Sequence, residues 1–118
     1  MNIDSLDFQQ ARIKLVVFKS RLRSVLYGVR EPDPALFSLV DNPFGQWLTT
    51  TLVPRYGKVS EVQAMERVLQ QMLRYGQELV TLFRQGRIEN ARSGLEQIET
   101  YAAEIDGLLR QLEQRNAA

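Results

Sequence analysis

Apolar residues recur along this chain at alternating spacings of three and four, the pattern of a helix with one buried face. The first stripe runs Phe8, Ala11, Leu15, Phe18, Leu22, Val25, Val29, and Gly28 followed by Pro32 marks its end. A broken middle follows. Asp33-Pro34 and Asn42-Pro43 each read as an N-cap followed by proline at the first helical position, so a helix of about two turns is predicted at each. The first would carry Leu36, Phe37 and Val40. The second would carry Phe44, Trp47, Leu48 and Leu52, with Pro54 helping to end it and Arg55-Tyr56-Gly57-Lys58 forming a turn. Ser60 and Gln63 have the spacing of a capping box before the stripe Val62, Met65, Leu69, Met72, Gly76, Leu79, Phe83, which stops at Gly86. The last stripe is Ile88, Ala91, Leu95, Ile98, Ala102, Ile105, Leu109, Leu112, and the tail Gln114 to Ala118 has nothing to bury.

These periods predict an all-α protein: a four-helix bundle of three long helices and a broken short-helix segment, antiparallel in its connections. One domain over residues 1–118 is expected, with a core from about 7 to 112. The first helix carries a second strip, Ile13, Val17, Ser20, Ser24 and Tyr27, roughly opposite the first. Two strips on one helix imply a second packing partner, and small residues at Ser20 and Ser24 permit close approach. A homodimer is expected here. Cover by the middle segment or the N-terminus is the alternative.

Composition narrows the chemistry. The 118 residues contain no Cys and no His, which removes disulfides, thiolate metal sites, the commonest metal ligand and the usual general base near neutral pH. Net charge is +1, too small for a field that attracts nucleic acid. Residues 12–30 hold Arg12, Lys14, Lys19, Arg21, Arg23 and Arg30 with no acid among them. Arg12, Lys19, Arg23 and Arg30 share one narrow face without interleaved aromatics, and acids on the last helix are expected to neutralise it, so no nucleic-acid partner is expected. No apolar run approaches the ~20 residues of a membrane span. The polar N-terminus, MNIDSLDF, is unlike a secretory signal, and a cytoplasmic protein is the expectation.

Enzymatic constellations fail one by one. Glu96 and Glu99 are a turn apart, and Glu66 and Glu78 lie on another helix, but a di-iron bundle also needs Glu-x-x-His. No phosphate-binding glycine loop exists, and no serine has a His partner. Neither an enzyme nor a cofactor is expected.

Four segments, in order, resemble the chemoreceptor zinc-binding (CZB) domain family. The run Ile13-Lys14-Leu15-Val16-Val17-Phe18-Lys19-Ser20-Arg21-Leu22, ending in Tyr27-Gly28, looks like the family's first helix. Asn42-Pro43-Phe44-Gly45-Gln46-Trp47 resembles its Cys-x-Leu-Gly-x-Trp signature, with Phe44, Gly45 and Trp47 at signature positions. Leu69-Gln70-Gln71-Met72-Leu73 sits where the family has His-x-x-Phe-His, and 79–91 is similar to its closing pattern. The resemblance spans about Asp7 to Leu112.

The family holds zinc with three His and one Cys. Carried over, those ligands fall on Leu15, Asn42, Leu69 and Leu73, none of which supplies such a ligand. The resemblance therefore implies the scaffold without the metal: a non-catalytic, metal-free sensory or regulatory module of bacterial signal transduction, of chemotaxis or cyclic-di-GMP type. Its expected partners are a second copy, a receptor, a diguanylate cyclase or another signalling protein. Two alternatives stand beside it. Replacing a polar metal site by Leu could leave an interior that takes a small apolar ligand, with Gly76, Met65 and Met72 lining it. The chain could also be a ligand-stripped variant of a zinc sensor, although Phe44 in place of the usual Leu favours natural divergence.

Overall fold

The computed structural model describes residues 3–117. Met1, Asn2 and Ala118, included in the expected domain, lie outside the described residues. Three long rods and a broken descending segment form an up-down-up-down bundle measuring 49 × 22 × 22 Å. Helix α1 (Ser5–Leu26) ascends. The chain then descends through a 3₁₀ turn (Pro34–Phe37), α2 (Pro43–Trp47), a π-helical turn (Leu48–Leu52) and α3 (Val53–Tyr56). Helix α4 (Ser60–Arg84) ascends again, and α5 (Ile88–Ser93) with α6 (Leu95–Ala117) returns. Every described regular element is helical, as the apolar periods predict.

The stripes become the core. Phe8, Ala11, Leu15, Phe18, Leu22 and Val25 of α1 are buried, facing Val62, Met65, Leu69, Met72, Gly76 and Leu79 of α4 and Ile98, Ala102, Ile105, Leu109 and Leu112 of α6. The core begins earlier than residue 7, because Ile3 is buried too. Val29 leaves the expected stripe and is 79% exposed. Gly28 adopts φ +73°, and the Gly28 and Val29 amides donate back to Val25 and Ser24, a Schellman turn that swings Val29 off the helix. Gly86, at φ +81°, closes α4 in the same way, with Gly86 and Arg87 donating to Phe83 and Leu82.

Several local expectations need correction. No capping box forms at Ser60: its hydroxyl donates to Glu61, and the Gln63 amide donates to the Gly57 carbonyl, leaving Val59 as N-cap. The capping box lies instead at α1, where Asp4 and Asp7 each accept the other's backbone N–H. Asp33 does cap Pro34 by accepting from Ala35, but only a single 3₁₀ turn follows, and Val40 is 61% exposed. The second short helix does not end at Pro54. Proline has no N–H, and its ring crowds the carbonyl four residues back. The chain widens ahead of it: Val53 donates to Leu48, five residues back, and helix resumes to Tyr56. The Thr49 and Thr50 hydroxyls donate to the Gly45 and Gln46 carbonyls through this stretch, a back-bonding that bends helices. The last rod breaks at Gly94, whose α-carbon packs so closely on Leu79 and Tyr75 that a Cβ would collide with the Leu79 side chain.

Ion pairs fasten the lower end. Arg12 donates to Asp106 (3.2 Å) and Glu113 (2.6 Å), joining α1 to α6. The Glu113 hydrogen bond, supported by Asp106, raises the Arg12 pKa further against burial. Arg115, near the end of α6, meets Glu61 in the first turn of α4 at 2.9 Å. The Glu61 backbone N–H holds its own carboxylate below the usual range, with the Ser60 hydroxyl and Arg115 adding to this against desolvation. A lowered folded-state pKa means that this contribution to stability is present above the ordinary carboxylate range and is lost as pH falls through the folded value.

Two outcomes are expected. The Glu61→Gln variant should show a flatter loss of stability on the acid side than the parent in urea melts over a pH series; parallel acid limbs would contradict this. A Cβ at Gly45 would overlap the carbonyl oxygen of Leu39, so Gly45→Ala should lower unfolding free energy by about 3 kcal/mol or more, read from the urea midpoint.

Candidate functional site

Asn42 organises the middle segment. It is 1% exposed, and its carboxamide is engaged on both sides. Oδ1 accepts from the Phe44 amide (2.9 Å) and the Gly45 amide (3.2 Å), capping α2. Nδ2 donates to the Leu36 carbonyl at 2.7 Å, tying the 3₁₀ turn to the start of α2. The missing side chain at Gly45 lets the backbone at Leu39 lie directly on α2. Phe44 and Trp47 then turn inward: Trp47 stands edge-on to Phe8 of α1 at 6.1 Å and tilted against Phe44 at 5.7 Å. The three signature residues are thus the seat of the descending segment on the bundle.

The other three carried-over ligand positions lie in the same core. Leu15, Leu69 and Leu73 are 4%, 0% and 3% exposed. Burial of such side chains stabilises by about 1.5–3 kcal/mol each. The residues do not fit a zinc ion. Three positions carry hydrocarbon, and the lone polar one spends its oxygen on two backbone amides. Beside Gly76 a Cβ would sit 2.9 Å from the Phe37 ring and 3.5 Å from Leu22, so the space next to this glycine is filled by Phe37, which itself stacks edge-on with Phe18 at 6.3 Å.

The outer face of α1 is different in character. Ile13 (60%) and Tyr27 (47%) are exposed, Ser20 is exposed, and Val17 and Ser24 are half-buried. Two residues missing from the expected strip belong to it: Leu6 and Val16, each 57% exposed. Their spacing supplies the missed signal, since Leu6, Ile13, Ser20 and Tyr27 are separated by seven residues each, with Val16 three after Ile13. On the α6 flank, Arg12 and Lys19 are paired with acids, Lys19 reaching Glu99 at 3.1 Å. At the upper end the Arg92 guanidinium lies 4.1 Å from the Tyr27 ring centre and donates to the Leu26 carbonyl, with Arg23 also against the ring at 5.5 Å. The face is therefore an apolar seam with pinned edges.

The chain matches no family model, and no curated protein or solved structure is significantly similar to it. Among the described residues, no helix is long and apolar enough to cross a membrane.

Removing the Asn42 carboxamide orphans the Leu36 carbonyl and two helix-terminal amides in a buried place. Asn42→Ala should cost about 2–4 kcal/mol of unfolding free energy in denaturant melts. A loss below about 0.5 kcal/mol, the size of an ordinary surface substitution, would show that Asn42 does not hold the segment.

Proposed function

We propose that this chain is a non-catalytic, metal-free regulatory interaction module of bacterial signal transduction, of the chemotaxis or cyclic-di-GMP type. It acts in the cytoplasm as a homodimer through the outer face of α1. The sequence resemblance to CZB domains supports the setting. The four ligand positions support the loss of metal chemistry, since each is now committed to packing or capping.

One observation carries the interaction reading. Six large apolar side chains are exposed among the described residues, and five of them, Leu6, Ile13, Val16, Tyr27 and Val29, lie on α1 or the turn that ends it. A concentration of this kind on one helix marks an interaction surface rather than scattered exposure. Its heptad spacing suits a second α-helix, and Ser20 at the middle of the seam lets two backbones approach. A second copy offers the matching seam. The same face would pair with a related bundle on a receptor or a diguanylate cyclase.

Sedimentation equilibrium over a range of concentrations tests this. The parent chain should show a dimer mass, and a double variant Ile13→Glu, Val16→Glu should be monomeric with unchanged helical circular dichroism, because both positions are outside the core. A parent that stays monomeric throughout, or a double variant that keeps the dimer mass, removes the α1 dimer.

A further inference from the structure

Where α1 meets the descending segment, the surface opens into a cleft of about 180 Å³. It has a buried apolar floor, Val25 of α1 and Leu36 of the 3₁₀ turn, 1% and 5% exposed. Five charged residues line it: Arg21, Arg30, Glu31, Asp33 and Asp41. Opposite charges packed into so small a space would be expected to pair, as Arg12, Lys19, Arg110 and Arg115 do elsewhere on the surface. None of the ion pairs among the described residues uses any of the five. Asp33 is committed to its cap, accepting from Ala35. That leaves Arg21, Arg30, Glu31 and Asp41, all solvent-exposed, lining one cleft without an ion-pair partner from the protein.

We propose that this cleft binds a free α-amino acid with a short apolar side chain. Arg21 and Arg30 take the carboxylate, for which the planar guanidinium is well matched. Glu31 and Asp41 take the ammonium group, and the side chain lies against Val25 and Leu36. Two cations against three carboxylates, one of which (Asp33) already holds a backbone N–H, favour a molecule carrying both charges over a simple anion or a simple amine. The size limits the ligand: the cleft holds the liquid volume of about six waters, short of a drug-sized pocket. Binding would also be felt by the fold. Asp41 and Pro43 flank Asn42 and line the cleft, while the Leu36 carbonyl accepts the Asn42 hydrogen bond, so a ligand would clamp the two parts that Asn42 joins. This site does not rest on the α1 dimer and stands whether the chain is a dimer or a monomer.

The test uses the full chain and backbone amide chemical shifts, titrated with L-alanine, L-valine and L-leucine. Isovalerate and isobutylamine, each carrying one of valine's two charges, serve as controls. Millimolar L-valine should move amides around Arg21, Glu31, Leu36 and Asp41, and neither control should do so. Arg21→Gln, Arg30→Gln and Asp41→Asn should each weaken binding by about tenfold or more while leaving circular dichroism unchanged. The proposal is overturned if none of the three amino acids moves these amides. Equal response to the one-charge controls overturns it too, as solvated surface charge only. So does undiminished binding by an Arg21→Gln, Arg30→Gln double variant.

Discussion

The descending segment is the weak member of this bundle, and one buried carboxamide holds it in place. Three members are long helices whose apolar stripes bury against one another. The fourth is a 3₁₀ turn, two short helices and a π-helical turn, none long enough to be stable alone. Asn42 gives it a fixed geometry by accepting from two amides at the start of α2 and donating to the carbonyl of Leu36. Once that corner is set, Gly45 admits the Leu39 backbone, Trp47 faces Phe8 with Phe44 against its ring, and Phe37 covers Gly76. A buried amide with its hydrogen bonds satisfied rigidifies what surrounds it, whereas one left open would be among the more costly defects of the core.

The same geometry bears on the proposed loss of zinc chemistry. A metal would join helices through a few directional bonds. Here Leu15, Leu69 and Leu73 are part of a continuous core made from α1, α4, α6 and the descending segment. Packing of this sort requires no particular protonation state and no bound ion. On this proposal the scaffold outlives its original chemistry, and function moves outward to the face of α1 and to the cleft beside Asn42.

The long helices were legible because their burial is periodic: six of the seven α1 stripe positions and the whole α4 stripe up to Leu79 are buried as the spacing requires. The Asn42 cap was legible for a local reason, Asn before Pro. The remaining features depend on backbone geometry or on competing contacts that spacing alone does not fix. Val29 fits the heptad but follows a left-handed glycine. Pro54 reads as a stop, yet a widened turn carries helix past it. Ser60 and Gln63 have capping-box spacing, but Glu61 and the Gly57 carbonyl compete for their side chains. Leu6 and Val16 belong to the outer strip by spacing, seven before and three after Ile13, so their place on it is legible once the heptad is extended in both directions. The charged cleft gathers residues from α1, the loop after it and the entrance to α2, an assembly that no single window of sequence reveals.

The ion pairs at the lower end have a mechanical consequence. Arg12 near the start of α1 reaches Glu113, and Arg115 near the end of α6 reaches the first turn of α4, so the first and last helices begin and finish at the same pole of a rod 49 Å long. Polypeptide joined before α1 and polypeptide joined after α6 would leave side by side. The turns at Gly28 and Gly86 close the opposite pole, where Arg92 ties the second turn to the first through the Leu26 carbonyl.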